Sequence, residues 1–521
     1  MSTTDGATIP SQVGRPRLGW PTMLMFGFGA VANTVKARGL ATFLMVYYNQ
    51  VLGLNPAMVG LATSIALIFD AIIDPTIGMV SDNVRTPWGR RHPFMYAAAI
   101  PVVIAFFMLW NPPTGWEGWQ LFGYMLACLL AVRLFDTFFE LPSSALLPEL
   151  VSDYDKRTTL ISIRNLFGVI GGLGMTILVL QVLMPERNGG ILVRDGYLSY
   201  SILAGVIIFV AIIVSTAATH KFIPFLRQAP LRDRTESVAT RTFTMGREVF
   251  ETLQNRAFMV ATLSGVFTAV ATATRSGMEL YFSLFFWGFN QGQISLIQIA
   301  AVVGAGLGLA FTPTWSKWHG KKFGAIWAYA IALVIGASPI ILRLMHLMPD
   351  NGTPLLFWLI FFETIANTFF AIMTGVLLTS MIADVVEDVE VRTGRRSEGL
   401  LFSADNLFKK LVSAAGPLIT GLILAFVAFP PNARRTGVEP EVLHNLALTY
   451  LPVAVVLYGI AILCLLMFRL DKSTHEQNLR TLEERLASDP EGRGPQDPTS
   501  PRRAAALIDP ESTPNQSPGE V

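Results

Sequence analysis

Long apolar runs separated by short polar loops recur along the chain, and each is long enough to cross a bilayer, for which about 20 residues suffice at 1.5 Å each. The pattern predicts twelve spanning helices, near residues 20–49, 57–82, 93–111, 118–147, 159–184, 197–218, 257–288, 292–315, 323–347, 354–383, 399–428 and 446–468. They fall into six plus six. The divider, residues 221–254, holds Pro224, Pro230 and several arginines and is too polar to span. The expected organisation is therefore a tail (1–19), a six-helix bundle (20–218), a central loop (219–256) ending in an interfacial helix at 246–256, a second six-helix bundle (257–468) and a tail (469–521). Within that last tail, 470–487 reads as a short amphipathic helix, and the Pro- and Ser-rich remainder as disordered. The halves echo one another, with R-T-P-W-G-R-R-H-P-F after the second segment and K-W-H-G-K-K-F-G after the eighth. A duplicated six-helix unit is the simplest account, and such repeats place a solute cavity between the halves near the bilayer midplane.

Composition agrees. Over 521 residues the chain is 52% hydrophobic and only 15% charged, with a mean hydropathy of +0.49, which is far too apolar for a soluble domain of this length. The net charge of +2 is spread over loops and does not form a nucleic-acid patch. Basic residues gather in alternate loops, among them Arg85, Arg90 and Arg91, then Lys156 and Arg157, Lys221, and Lys317, Lys321 and Lys322. The positive-inside rule puts those loops and both termini in the cytoplasm, with the body in the inner (plasma) membrane. Cys128 and Cys464 lie in apolar runs and support neither a disulfide framework nor a thiolate metal site. No cleavable signal is evident in residues 1–17.

Charged side chains inside the spans carry the chemistry. The second segment reads F-D-A-I-I-D-P-T-I-G-M-V-S-D, so Asp70 and Asp74 share one helical face, where two carboxylates can converge on one cation or share one proton. Each costs about 2.5–3.5 kcal/mol in hydrocarbon, so the pair should face a polar cavity. In segment one, Lys36 and Arg38 lie mid-span, and Asp70 or Asp74 is the expected partner, as a structural ion pair or within a ligand site. Segment four carries Arg133, Asp136, Thr137 and Glu140 as a polar stripe, with Pro142 expected to loosen the backbone beyond it. In segment seven, Arg275 and Glu279 are spaced either to pair or to meet a ligand. Of Lys409 and Lys410 in segment eleven, one can supply the movable positive charge that an empty cation site needs. Gly171, Gly172 and Gly174, like Gly304, Gly306 and Gly308, are expected to permit close helix approach. No paired histidines or Cys/His arrangement lies within the spans, which argues against an enzyme; no cofactor is expected.

The run D-A-I-I-D-P-T-I-G-M-V-S-D with T-P-W-G-R-R-H-P strongly resembles the signature of the glycoside-pentoside-hexuronide:cation symporters, the melibiose-permease-like branch of the major facilitator superfamily. G-F-G-A, Tyr47-Tyr48, Glu140-Leu-Pro, Arg164, A-D-V-V-E-D-V-E and R-R-S-E-G followed by Lys410 are collinear with it. The resemblance implies an all-α polytopic membrane protein with the major facilitator fold, twelve transmembrane helices in two six-helix bundles. It implies cation-coupled symport of a glycoside, pentoside or hexuronide, with H+ or Na+ held by Asp70 and Asp74 beside Thr137, and Lys410 acting in coupling. Glu140 and Arg164 would contact the solute. Two departures matter. Ile73 stands where the melibiose permease has a polar Asn, which shifts the balance from sodium towards the proton. Thr34 replaces the acid that meets galactoside there, so a galactoside is not supported. Lys36, Arg38 and Arg275 instead suggest an anionic or bulkier solute, which could be amphipathic as for the family's animal lysophospholipid symporters; a proton-coupled exporter and a non-transporting receptor are the remaining alternatives. Asp82, Arg85, Arg90, Arg91 and Asp384 would close the cytoplasmic side by charge pairing. The protein is expected to act as a monomer.

Overall fold

The computed structural model describes residues 18–151, 153–226, 256–393, 398–433 and 437–468, and among these every regular element is helical. The N-terminal half consists of α1 (Trp20–Thr42), α2 (Pro56–Asn83), α3 (His92–Trp110), α4 (Gly118–Leu150), α5 (Tyr154–Leu178) and α6 (Asp195–His220). The C-terminal half consists of α7 (Arg256–Tyr281), α8 (Gln291–His319), α9 (Lys321–Leu344), α10 (Pro354–Thr393), α11 (Glu398–Ser413), α12 (Ala415–Phe426) and α13 (Pro440–Met467). The eleventh predicted segment is thus two helices, broken at Ala414. Eleven described passes are long and apolar enough to cross a membrane. The remaining predicted pass, α1, is diluted by Asn33, Lys36 and Arg38, and it reaches its length through further helical turns to Val51.

α4 runs unbroken through Pro142 and Pro148, as α2 does through Pro75, each proline leaving one carbonyl of the ladder without its N–H donor. One expectation about backbone needs correction. α10 extends to Thr393 and carries the A-D-V-V-E-D-V-E run as helix, ten residues past the expected end of that segment at 383. The expected interfacial helix (246–256, except Arg256), the tail helix (470–487) and the tails lie outside the described residues.

The internal repeat is real in three dimensions. In the first half α1 packs on α5 and α6, α2 on α4, and α3 on α4 and α6. The second half repeats this, with α7 on α11, α12 and α13, α8 on α10, and α9 on α10 and α13. Matching details recur at one constant sequence separation. The π-turn Tyr47–Val51 corresponds to Phe282–Phe286, and Gly53 corresponds to Gly288, both at positive φ where a side chain would be strained. Asn55 and Asn290 follow as N-caps, accepting from Ala57 N at 2.9 Å and Gln293 N at 2.8 Å.

Across the pseudo-two-fold, α2 packs on α12 and α5 on α8. At the end bearing these Gly-x-Asn loops the halves meet closely. Ser64 Oγ donates to the Ala414 carbonyl at 2.5 Å, Tyr281 to Asn49 Oδ1 at 2.8 Å, Gln50 Nε2 to the Pro430 carbonyl at 3.1 Å, and Gln181 Nε2 to Ser295 Oγ at 2.9 Å. At the basic-loop end, a cavity of about 400 Å³ runs between the halves from Asp74 and Lys410 towards Asp82. The molecule is closed at one end and open at the other.

Glycine makes the closure possible. A Cβ at Gly60 would overlap the Pro417 carbonyl oxygen and approach Leu418 Cα to 3.1 Å, and backbone cannot yield as a flexible side chain would. Gly60→Val should therefore hold this end apart. The expected outcome is about tenfold faster thiol labelling of a Ser64→Cys probe in a Cys128→Ser, Cys464→Ser background, equivalent to ~1.4 kcal/mol against closure. Unchanged labelling would disprove the assignment.

Candidate functional site

α2 is built to present its carboxylates. Asn55 caps it, Pro56 takes a first-turn position where a missing N–H costs nothing, and Pro75 interrupts the ladder directly after Asp74. Proline at 75 cannot donate to the Ala71 carbonyl, so the helix is loosened between the two acids and the cavity that Ala71 and Pro75 line. Opposite, Lys410 stands in the last turn of α11, where a cation is favoured by the helix dipole, just before the break at Ala414.

These elements meet between the halves. Lys410 Nζ lies 2.9 Å from Asp70 Oδ2 and in closer contact with Asp74 Oδ2. Thr137 Oγ1 is 3.3 Å from Asp70 Oδ1 and 3.0 Å from Asp74 Oδ1. Arg133 Nη1 approaches Asp70 Oδ2 at 3.5 Å. Asp70 is buried and Asp74 half-buried towards the cavity. All four residues expected at the cation site are therefore together, with the Lys410 ammonium set among the oxygens of Asp70 and Asp74 and Thr137 bonded to both acids.

The first half's wall continues from there. Asn33 Nδ2 donates to Glu140 Oε1 at 2.9 Å. Arg164 donates to the Ser143 carbonyl at 3.2 Å and lies over the Phe26 ring at 5.1 Å. Thr34 Oγ1 donates within its own helix, to the Ala30 carbonyl at 3.0 Å. The expected partner of Lys36 is corrected: Lys36, only 1% exposed, pairs with Asp136 rather than Asp70 or Asp74. Helical spacing explains this, because Asp136 lies on the face of α4 that meets α1, whereas Thr137, one residue on, turns to α2. Arg38 does not pair with those acids either; it is exposed, with its stem against Gly172.

In the second half Arg275 and Glu279 take separate partners. Arg275 donates to Asn367, which donates in turn to the Ala332 carbonyl at 2.8 Å, and Glu279 accepts from Gln298 at 2.5 Å. Lys409 is held by Asp405 at 2.5 Å, and of the two lysines Lys410 is the one that reaches Asp70 and Asp74. The glycines behave as helix contacts: Gly171 lies on Val31 and Thr34, and Gly304 and Gly308 lie on the carbonyls of Ile365 and Phe369, while Gly174 and Gly306 meet nothing.

Several charged residues at the open end pair within their own half. Arg91 Nη2 lies 3.3 Å from Asp82 and 3.2 Å from Glu149, and Arg90 contacts both acids. Lys321 Nζ lies 2.5 Å from Asp384. Arg85 is exposed. Glu149 is the functional candidate that sequence reasoning missed, although a signal existed: it stands to Asp384 at the same separation that relates Gly53 to Gly288. Gln298 and Ser143 were also missed, as isolated polar residues in apolar helices give no pattern to read.

The chain is similar in sequence to known transporters. A family model described as MFS/sugar transport protein matches residues 25–472. The isoprimeverose transporter of Lactiplantibacillus pentosus is 22% identical, over 94% of this chain and 96% of the relative. The putative glycoside/cation symporter YagG of Escherichia coli (strain K12) is 25% identical, over 89% and 95%. Among solved structures, tetrameric PepTSo2 aligns with a TM-score of 0.59 at 14% identity, covering 89% of this chain and 99% of that one, a likeness of fold alone.

Proposed function

The chain belongs to the MFS/sugar transport protein family, and from that premise we propose that it is a cation-coupled symporter of a sugar-like solute working by alternating access. One observation carries the reading: the Lys410 ammonium reaches from the second half onto Asp70 and Asp74 of the first. A cation that binds those carboxylates must displace Lys410, so its binding changes what ties the halves together at mid-membrane. Asp70, Asp74 and Thr137 hold the cation in this reading, and Lys410 takes its place when it leaves. The proton is favoured over sodium because Ile73 adds no oxygen to that set. Glu140 and Arg164 line the solute path on the first half, and Arg275 on the second. The transporter names of the relatives support a glycoside or pentoside class of cargo.

The two halves, 20–218 and 257–468, are the rocking units, joined by the central loop 219–256. Positive-inside bias supports cytoplasmic termini, and the protein in this reading works in the plasma membrane as a monomer. The open end is then the cytoplasmic one. Asp82, Arg90, Arg91 and Glu149, with Lys321 and Asp384, pair within their own halves in this inward-open state and would exchange partners across the interface when that side closes.

Proteoliposomes test the proposal. Isoprimeverose and methyl glycosides are offered with an imposed proton gradient, a sodium gradient or none. Accumulation driven by the proton gradient alone is expected. Accumulation driven only by sodium would overturn the choice of ion, and equilibration indifferent to either cation would overturn coupling itself.

A further inference from the structure

At the closed end two glutamines, one from each half, reach into the backbone of the other half. Gln50, in the turn Tyr47–Val51, is 2% exposed; its Nε2 donates to the Pro430 carbonyl at 3.1 Å, and its Oε1 accepts from the Ala433 N–H at 3.0 Å. Gln291, 6% exposed, opens α8 directly after the Asn290 cap and reaches the opposite way. In the orientation that its surroundings require, its amide donates to the Leu180 carbonyl at 2.7 Å and the Met184 carbonyl at 2.6 Å, and accepts from the Ile191 N–H at 2.9 Å.

The backbone explains why an amide belongs at each place. α5 continues into a wide turn, Val179–Leu183, and Pro185, just beyond it, has no N–H to give the Leu180 carbonyl five residues back. Met184 stands past that turn, where carbonyls at a helix end need partners from outside the helix. Gln291 supplies both. A Cβ at Gly190, which is at φ +65°, would overlap the Gln291 amide, so that glycine leaves the room it occupies. Gln50 meets a matching demand, a carbonyl and an N–H in the loop after α12. Its Nε2 also reaches Asn49 Oδ1 at 2.6 Å, and the same oxygen accepts from Tyr281 of the second half at 2.8 Å. A side-chain amide offers donor and acceptor in one plane without charge.

We propose that Gln50 and Gln291 are reciprocal latches that hold the extracellular end shut, and that they do so without charge, in contrast to Asp70, Asp74 and Lys410 at mid-membrane. This rests on the alternating-access reading. An amide bonded to backbone neither titrates nor is screened by salt, so the latches keep one strength whatever the cation conditions. They can also open. When the end parts, each of these bonds is exchanged for one to water, so its net worth is small. Cation binding at Asp70 and Asp74 then works against a fixed and modest tie at the far end, and the latches set how often the empty carrier faces outward.

The test reads both ends of the full-length protein by thiol labelling in a Cys128→Ser, Cys464→Ser background. One probe is Ser64→Cys at the closed end; the other is Ser403→Cys, exposed to the open cavity. Gln50→Leu and Gln291→Leu should each speed labelling of the first probe about tenfold. The double variant should reach about 100-fold, as separate latches add, and should draw enough molecules out of the inward-open state to slow labelling of the second probe. Gln291→Glu keeps the shape, but its carboxylate faces two carbonyls. Its excess of labelling over the parent protein should be large at about pH 8 and vanish towards about pH 5, where a protonated carboxyl can again donate. An effect that reverses with pH in one protein does not come from misfolding. Unchanged labelling of the first probe, faster labelling of both probes, or a Gln291→Glu excess that is flat with pH would each overturn the proposal. Faster labelling of the first probe in the double variant with no loss at the second would leave the latches standing and remove alternating access.

Discussion

Asp74→Asn should reduce the accumulation ratio of the solute to about 1 while leaving the protein folded, because a carrier without a coupling ion can only equilibrate. Asp74 is chosen over Asp70 on geometry. Asp70 is buried and faces Arg133 as well as Lys410, so neutralising it leaves a guanidinium without its partner. Asp74 is half-exposed to the cavity, and an amide there can still accept from Lys410 and Thr137. A tenfold gradient of a monovalent cation is worth about 1.4 kcal/mol and supports up to ~10-fold accumulation at one-to-one coupling. The variant should lose all of that yet continue to exchange labelled for unlabelled solute, since exchange does not require the empty carrier to reorient. Gradient-driven accumulation at the wild-type level would refute the role of Asp74; loss of both exchange and folding would put it down to structure. Lys410→Gln tests the other side of the contact. With no ammonium to take the place of the departing cation, two carboxylates face one another in the empty carrier, so return of the empty carrier should slow more than exchange.

Much of this was open to sequence reasoning, and what was not has a physical cause. The positions of the passes followed from hydropathy because each bundle helix needs an apolar exterior, but the extension of α10 to Thr393 and the break at Ala414 did not. Asp70 and Asp74 were recognisable because two acids one turn apart in a long apolar run have few structural uses. The partner of Lys36 was not. A helical sequence fixes which residues share a face but not which neighbouring helix that face meets, and Asp136 and Thr137, adjacent in sequence, turn to α1 and α2 respectively. The same limit hid the separate partners of Arg275 and Glu279, whose spacing suits a pair although Asn367 and Gln298 lie closer. Glu149 would have been found by carrying the repeat further along the chain, from its loops into the ends of α4 and α10.

Lys36→Met should be among the most destabilising single substitutions in the first half. The ammonium is 1% exposed and its partner Asp136 is 8% exposed, so removing the lysine leaves a carboxylate buried without compensation in the middle of the membrane. Breaking one side of such a pair costs about 3–5 kcal/mol, whereas replacing both members by well-packed apolar groups is often close to neutral. Asp136→Leu should cost a similar amount for the converse reason, and the Lys36→Met, Asp136→Leu double variant should recover most of the loss. Denaturation of the purified variants in detergent measures this, and the sign of the coupling is decisive. Additive losses would mean that the two side chains stabilise the fold through different neighbours. Recovery would identify the pair as a structural clamp between α1 and α4, set immediately beside Asn33 and Glu140, which α1 and α4 also bring together at 2.9 Å. A clamp there keeps Lys36 from competing with Lys410 for Asp70 and Asp74. The double variant should accordingly retain its cation dependence, in contrast to Asp74→Asn, even though it has lost two charges from the same depth of the membrane.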